Sequence, residues 1–313
     1  MSDEHKLHKR SQIVKSKAEN LGFISCGISK AEYLEEEATL LEKWLSNGMH
    51  GQMHYMESNF DKRVDPRKLF PGAKSVISLA YNYFPTENQN PDSSYKVSNY
   101  AYGRDYHKVI RKKLKEFLAE LSTEFGDIAG RGFVDSAPVM DKAWATRSGV
   151  GWLGKNSNII HPKKGSYFFL AEIITDLALE ADPPIKDYCG TCTRCIDACP
   201  TDAIESPYVV NGSKCISYLT IELKDSIPRE FHNKMEGWIF GCDICQQVCP
   251  WNRFSSPSSE TDFDAREPIK EYSDKDWEEL TEELFEEHFR GTPLKRAGFE
   301  KLKKSVKANK HKY

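Results

Sequence analysis

The 313-residue sequence has no apolar run of the roughly 18 residues that a membrane-spanning helix needs. Its N-terminus, MSDEHKLHKR, is polar from the first residue and lacks the apolar segment of a secretory signal peptide. These two absences indicate a cytoplasmic protein without membrane contact. Because the cytoplasm is reducing, the nine cysteines are not expected to form a disulfide framework, which favours metal binding or redox chemistry.

Common nucleotide and cofactor motifs are also missing. GVGWLG, residues 149–154, does not have the G-x-G-x-x-G spacing after a strand, so a Rossmann nucleotide site is unsupported. DYHKVI, residues 105–110, lacks the final glycine of the D-x-H-x-x-G cobalamin motif and leads directly into a predicted helix. The function must therefore be sought in the cysteines and in the polar residues of the N-terminal part.

Eight of the nine cysteines lie between Cys189 and Cys249. The segment CGTCTRCIDACP has the spacing of the bacterial ferredoxin run, in which three thiolates bind one cubane cluster and the fourth reaches a second. A second set, GCDICQQVCP, follows. Together they predict two [4Fe-4S] clusters, cluster one on Cys189, Cys192, Cys195 and Cys249 and cluster two on Cys199, Cys215, Cys242 and Cys245. Structural zinc is the alternative, and the ninth cysteine, Cys26, is predicted to be a core residue.

The order of predicted elements divides the chain into three parts. Over residues 1–180, predicted helices (5–20, 31–48, 106–126) and strands (23–29, 75–84, 131–135, 166–175) alternate, which indicates a layered α/β (α+β) domain with a mostly buried sheet. Residues 181–255 are predicted to form a small two-cluster ferredoxin-like domain. Residues 256–313 are predicted to be a helical extension with a basic tail and no helical-repeat domain; residues 295–313 hold 8 Lys and Arg against 1 Glu.

The densest group of polar residues in the first part is VDSAPVMDKAWATRSGVGWLGKN, residues 134–156. Asp135 ends a predicted strand, where carboxylates of open α/β sheets commonly face a ligand crevice. Asp141 opens a short predicted helix, and a helix cap explains it equally well. Gly149, Gly151 and Gly154 are predicted to let the backbone approach a large planar ligand. These residues indicate an iron–sulfur redox protein with an acid-bearing pocket.

Five blocks together resemble the epoxyqueuosine reductase family over residues 5–300: NYAYGRDYH, the VDSAP to GWLGKN segment, CGTCTRCIDACPTDAI, KCISYLTIE and GCDICQQVCPWN. The resemblance implies a cobalamin-binding α/β domain, related to that of the reductive dehalogenases, followed by a ferredoxin domain of the bacterial two-cluster type. The implied reaction reduces epoxyqueuosine at the wobble position of tRNA to queuosine with loss of water.

The resemblance also implies roles for single residues. Asp135 is the implied proton donor, which requires a raised carboxyl pKa near pH 7, and Asp105 or His107 is the alternative donor. The implied cobalamin contacts are Arg63, Asp135, Lys142, Asn158, Leu170 and Ser217.

A tRNA substrate makes the basic side chains of the C-terminal part candidate phosphate contacts, although a solvated, disordered tail would have the same composition. The predicted contacts are Lys224, Lys295, Arg296, Lys301, Lys303 and Lys304. We expect a monomer that takes electrons from an external donor of the flavodoxin or ferredoxin type. Two other functions remain open, a cobalamin-dependent reductive dehalogenase, whose family uses a tyrosine as the acid, and a non-enzymatic iron–sulfur electron carrier.

Overall fold

The structure is a computed structural model that describes residues 3–310. Its strands are β1 (Ser25–Lys30), β2 (Ser75–Asn82), β3 (Lys96–Val97), β4 (Gly130–Phe133), β5 (Trp152–Leu153), β6 (Ile159–Ile160), β7 (Phe168–Thr175), β8 (Ile204–Ser206), β9 (Val209–Val210) and β10 (Trp238–Phe240).

Fifteen α-helices are assigned within the same residues, most of them short. They are α1 (Asp3–Asn20), α2 (Glu35–Ser46), α3 (Phe60–Val64), α4 (Pro66–Leu69), α5 (Tyr106–Phe125), α6 (Asp141–Arg147), α7 (Arg194–Asp197), α8 (Ile216–Ile221), α9 (Arg229–His232), α10 (Ile244–Gln247), α11 (Glu267–Glu271), α12 (Asp274–Glu279), α13 (Glu282–His288), α14 (Pro293–Ala297) and α15 (Phe299–Asn309).

A four-stranded sheet in the order β1-β2-β7-β4 forms the central layer of the N-terminal part, and every neighbouring pair in it is antiparallel. The mixed α/β class is confirmed, and the four predicted strands fall at β1, β2, β4 and β7. Asp135 was expected at a ligand site because ligands of open α/β sheets bind in a crevice at the strand ends. That reason is wrong, because the strands of this sheet are antiparallel. Among the described residues, no helix is long and apolar enough to cross a bilayer.

Each face of this sheet is covered by different helices. On one face, α1 and α5 bury an apolar cluster that includes Phe23, Ile77 and Phe117. On the other face, α2 and α6 pack over a cluster that includes Trp144 and Ile174. Alternate residues of a strand point to opposite faces, so the apolar run of β2 is explained by burial on both sides.

Helix α5 and strand β4 are held together closely, and this contact sets the position of the catalytic candidates. Asp105 caps α5 by accepting a hydrogen bond from the His107 backbone N–H, and a positive-φ glycine, Gly126, ends the helix. A Cβ on Gly132 of β4 would lie 2.9 Å from Cβ of Leu114 in α5, so only glycine permits this approach. The start of α5 and the loop after β4 therefore lie side by side.

The C-terminal helices are packed against β3 and β10 through a separate apolar cluster that includes Phe240, Trp277, Phe289 and Leu302. The interpretation of the tail as a solvated, disordered end is wrong for its described residues, because α15 buries one face. Lys312 lies outside the described residues.

Candidate redox and catalytic site

None of the nine cysteines forms a disulfide in the structure. Cys26 packs against the core of the N-terminal sheet, and burial raises the pKa of its thiol to about 12. It therefore has the core position that the sequence predicts. The other eight cysteines lie in the part of the chain that carries α7 and α10, two short helices of the cysteine-rich segment.

The first group of thiols gathers around Cys249. Burial raises the pKa of Cys249, and the nearby charges of Cys189 and Cys192 raise it further. The pKa of Cys195 is likewise raised by burial and then by Cys189 and Cys249. Trp152 donates its indole N–H to Cys189 Sγ at 3.5 Å. These couplings bring together the four residues predicted for cluster one.

The second group of thiols lies deeper. Burial raises the pKa of Cys215, with Cys199 adding to the shift, and burial raises the pKa of Cys242, with Cys215 and Cys245 adding. The Ala203 backbone N–H donates to Cys199 Sγ at 3.3 Å. The grouping agrees with cluster two, and the ligand assignment itself stays a prediction.

Asp135 lies in a tight turn directly after β4. Its backbone φ is 54°, a left-handed conformation that is costly for a non-glycine residue and recurs at functional sites. One carboxylate oxygen, Oδ2, accepts from the Tyr106 hydroxyl at 2.6 Å and lies 3.1 Å from His107 Nε2. On the other side of the imidazole, His107 Nδ1 lies 2.7 Å from Asp105 Oδ1. The result is a hydrogen-bonded series of side chains, Asp105–His107–Asp135, which we call the acid chain.

The two flanking carboxylates raise the pKa of His107. Burial lowers its pKa, but the hydrogen bonds to Asp105 and Asp135 outweigh burial, and the pKa is raised overall. Arg296, from α14, places Nη1 2.7 Å from His107 Nε2, and its charge lowers the same pKa. Arg296 was predicted to contact tRNA; in the structure its guanidinium reaches the acid chain instead.

Asp135 itself is an ionised acceptor in this arrangement. Its side chain remains 59% exposed. Surrounding protein atoms raise its pKa by desolvation, but hydrogen bonds from His107 and Tyr106 prevail and the pKa lies below its ordinary value. The raised pKa that a direct acid requires is therefore absent. Desolvation and the Asp135 charge raise the pKa of Tyr106, so that hydroxyl keeps its proton.

Two of the residues predicted to contact cobalamin, Arg63 and Lys142, lie near the carboxylates of this region, and we call the space beside Asp135 the cleft. Arg63 is buried and donates from Nη2 to the Tyr55 carbonyl at 3.0 Å, and its Nε has no partner among the described residues. Lys142 lies in α6, and its pKa is lowered by desolvation and raised by Cys245, Asp141 and Cys215. The Lys142 side chain therefore lies between the acid chain and the second group of thiols.

Three further residues were predicted to contact cobalamin. Asn158 Nδ2 lies 4.0 Å from Cys245 Sγ. Ser217 lies at the start of α8, where its backbone N–H is hydrogen bonded to the Cys215 thiol. Leu170, in β7, pairs with Ala80 and is partly buried against an apolar cluster.

Asp141 opens a helix as predicted, but the interpretation of Asp141 as a helix cap is wrong, because it is the first residue of α6 and the N-cap, Met140, makes no side-chain capping bond. Gly149, Gly151 and Gly154 allow close contact between protein segments, and the approach of their backbone to a ligand stays a prediction. A Cβ would lie 2.6 Å from the Pro183 carbonyl at Gly149, from the Ile160 carbonyl at Gly151, and from Ile160 Cδ1 at Gly154.

Sequence reasoning missed Glu172, which is fully buried in β7. Both of its carboxyl oxygens, and Oδ1 of Asp141, lack hydrogen-bond partners among the described residues. Burial raises the pKa of Glu172 well above its ordinary range, and the nearby Asp141 raises it further. A buried charge without a partner is costly, so Glu172 is held in its neutral form. The one signal in the sequence was a lone acid inside the apolar run FFLAEIIT.

The other basic candidates differ in how far they are free to reach a phosphate. Lys301 is buried, and its ammonium donates to the carbonyl oxygens of Leu219 and Leu223. Its cation is used inside the fold, so Lys301 is withdrawn from the predicted tRNA contacts. Lys303 donates to the Glu278 carbonyl at 2.6 Å.

The remaining basic candidates stay closer to the surface. Lys295 pairs with Glu286. Lys304 donates a hydrogen bond to the backbone carbonyl of the exposed Lys224 at 2.9 Å, so these two residues are neighbours in the fold.

Two family models match segments of the chain. One, described as a 4Fe-4S double cluster binding domain, matches residues 188–252, a range that contains all eight clustered cysteines. The other, described as Epoxyqueuosine reductase QueG, DUF1730, matches residues 63–136, a range that contains Arg63, the acid chain and Asp135.

Curated relatives match nearly the whole chain. An epoxyqueuosine reductase of Cellulophaga algicola is 57% identical over 298 residues, which cover 95% of this chain and 97% of the relative. One of Pseudomonas aeruginosa is 44% identical over 298 residues, which cover 93% of this chain and 82% of the relative.

Solved structures agree. A crystal structure of epoxyqueuosine reductase with an epoxyqueuosine-modified tRNA-Tyr stem loop superposes with a TM-score of 0.89 at 31% identity, over 96% of this chain and 80% of that chain. A Bacillus subtilis epoxyqueuosine reductase, described with its catalytic aspartate loop swung out of the active site, gives 0.87 at 29%, over 96% and 81%.

A more distant structure shows a related fold alone. The catabolic reductive dehalogenase NpRdhA with 3-bromo-4-hydroxybenzoic acid gives a TM-score of 0.51 at 15% identity, over 82% of this chain and 34% of that chain. The two reductase relatives instead match this chain at high identity and almost end to end, and the family model spans the candidate acid. This chain belongs to the epoxyqueuosine reductase family.

Proposed function

We propose that this protein reduces epoxyqueuosine to queuosine at the wobble position of a tRNA. The observation that carries the proposal is the Asp105–His107–Asp135 chain, which opens into the cleft beside the second group of thiols. Family membership supports the same reaction, since a solved relative holds an epoxyqueuosine-modified tRNA stem loop.

The donor set suits two [4Fe-4S] clusters, because eight free thiols in two groups are available and the spacing is that of ferredoxins. The cleft also suits cobalamin, whose peripheral amides are rich in hydrogen-bond acceptors. Arg63 offers a buried N–H without a partner, and Asn158, Ser217 and Lys142 offer further polar groups. When bound, these groups would pass electrons from an external donor to the substrate.

The protein's own residues would manage the protons. The epoxide oxygen leaves as water, so each turnover consumes two electrons and two protons. His107, whose pKa the two carboxylates raise, would relay the two protons one after the other from solvent to Asp135, and Asp135 would pass each of them to the departing oxygen. Tyr106 keeps Asp135 oriented through its hydroxyl, and it stacks on Phe169 with ring centroids 4.2 Å apart.

The substrate tRNA would be held by cations at the rim of the C-terminal part, chiefly Lys224 and Lys304, because phosphate contacts position a nucleic acid without reading its sequence. Specificity would come from the modified base entering the cleft beside Asp135. Electrons would come from an external carrier, and the protein would act in the cytoplasm as a monomer.

The test is anaerobic reconstitution with iron, sulfide, cobalamin and a chemical reductant, followed by mass analysis of nucleosides from an epoxyqueuosine-containing tRNA. The expected product is queuosine. Dehalogenation of a bromophenol without queuosine formation would favour the dehalogenase alternative. Reduced clusters with neither product would favour the electron-carrier alternative.

A further inference from the structure

Four aromatic side chains form one connected group beside the first set of thiols, and we call this group the aromatic patch (Trp152, Tyr188, Trp251 and Phe254). The ring centroids of Trp152 lie 5.4 Å from those of Tyr188 and 4.9 Å from those of Trp251. Trp251 continues the contact to Phe254 at 5.9 Å. Because Trp152 also donates to Cys189 Sγ at 3.5 Å, the patch touches the site of cluster one.

The patch is open to solvent at two of its members. Tyr188 is 50% and Phe254 is 39% exposed, and both are among the few large apolar side chains at the surface of the described residues. Exposed aromatic residues that form a connected group are typical of interaction surfaces, whereas single exposed ones need no explanation.

Cations surround this exposed end, and we call them the basic rim (Lys163, Lys164 and Arg253). Arg253 lies over the Phe254 ring at 4.5 Å. Lys163 and Lys164 are exposed in the turn before β7. Ser255, which follows Phe254 in the sequence, donates a hydrogen bond to the Lys164 carbonyl at 3.3 Å and so connects this turn to the patch. Asp187, the acid next to Tyr188 in the sequence, accepts hydrogen bonds from the Cys189 backbone N–H and the Tyr208 hydroxyl.

The function of the aromatic patch follows from its position relative to the cleft. The second set of thiols lies beside Lys142 and hence beside the acid chain, where the substrate must react. The first set lies beside the patch, with Gly190, Thr191 and Arg194 exposed around it. Electrons that travel to the cleft therefore enter at the patch, because electron transfer slows steeply with distance.

We propose that the aromatic patch and its basic rim form the docking surface for a small acidic electron-carrier protein. The proposal rests on the proposed function, which requires an external source of electrons. Opposite charges steer such a carrier to the rim, and the aromatic residues exclude water at the contact. Small, transient interfaces of this composition suit a partner that must leave after giving one electron.

A tRNA is the less suitable occupant. Its wobble base must reach Asp135 in the cleft, whereas the patch adjoins the other set of thiols. In the step that the surface would serve, one electron leaves the reduced carrier and enters the oxidised cluster, and no atom is transferred.

The test uses the cluster-loaded protein without tRNA and a reduced flavodoxin as the probe. Calorimetry measures its binding, and stopped-flow absorbance measures the bleaching of the clusters. In Lys163→Glu/Lys164→Glu, we expect the dissociation constant to rise on the order of tenfold and to lose most of its salt dependence. Phe254→Ser changes no charge and should weaken binding without altering the salt dependence.

Controls separate this surface from general damage. Lys9→Glu/Arg10→Glu makes the same paired charge reversal on the exposed side of α1 and should bind flavodoxin normally. Bleaching by dithionite-reduced methyl viologen should be equal in all variants, since a small reductant needs no docking surface. Should the charge reversal cost the protein its iron, Phe254→Ser alone decides.

Two results would overturn the proposal. One is unchanged flavodoxin binding and bleaching in both patch variants. The other, measured in a separate tRNA titration of the same variants, is a selective loss of tRNA affinity with unchanged flavodoxin binding, which would make the surface a nucleic-acid contact. Because the assay contains no tRNA, failure of the proposed reaction would be recognised separately, as an absence of queuosine with the viologen reductant.

Discussion

Changing Asp135 to Asn tests the proton chain with the smallest change of shape. The amide can still accept from Tyr106, but it carries neither a transferable proton nor a negative charge toward His107. Loss of general acid catalysis commonly costs about 10²- to 10⁴-fold in turnover, which corresponds to about 2.7–5.4 kcal/mol of transition-state stabilisation. We expect a loss in this range at saturating tRNA and reductant, with iron content and cobalamin absorption unchanged.

The same variant has a second consequence that a purely structural role would not produce. Asp135 is one of the two carboxylates that raise the pKa of His107, so removing its charge lowers that pKa. The activity that remains should therefore be lost at a lower pH than in the unmodified protein, because His107 gives up its proton earlier.

The matched control is Asp127→Asn, an exposed carboxylate at the opposite end of β4. It should leave both turnover and the pH profile unchanged. Turnover of Asp135→Asn within twofold of the unmodified protein would refute the proposed role of the chain.

Three further predictions follow from features described above. Anaerobic preparation should give about eight iron and eight sulfide per chain, falling toward about four of each in Cys192→Ala, whereas one zinc with negligible iron would contradict the cluster assignment. The folded protein raises the pKa of Glu172, so the free energy of unfolding falls as the pH rises from the pKa of the unfolded state, about 4.3, toward the pKa of the folded state. Glu172→Gln should therefore reduce the fall in thermal midpoint between pH 5 and 8. The same fall in the variant and in the unmodified protein would show that Glu172 is charged in the fold. Lys224→Gln/Lys304→Gln should reduce the slope of log tRNA affinity against log salt by roughly 0.7–0.9 per lost phosphate contact, and equal slopes would remove both lysines from the interface.

The sequence was most informative where spacing along the chain determines chemistry. The ferredoxin spacing predicted a two-cluster iron–sulfur segment, and the double cluster family model matches that segment. The apolar periodicity predicted α1, α2, α5 and the four strands of the central sheet, because burial patterns repeat with the period of each element.

The features that depend on distant contacts could not be predicted. The antiparallel order β1-β2-β7-β4 depends on pairing between strands far apart in the chain. Arg296 reaches His107 across 189 positions. Gly151 was predicted to lie against a ligand, because the sequence does not show that Ile160 packs against this glycine.

The contacts made by Arg296 and Lys301 also set an order of events during synthesis. Domains of a growing chain fold from the N-terminus as they leave the ribosome, and both residues follow Asp135 and every cysteine. Lys301 binds the carbonyls of Leu219 in α8 and of Leu223 just after it, and Arg296 completes the surroundings of His107. A nascent chain interrupted before residue 296 would lack both contacts. We therefore expect the segment that follows Cys215 to be fixed in place only after the C-terminal helices have emerged.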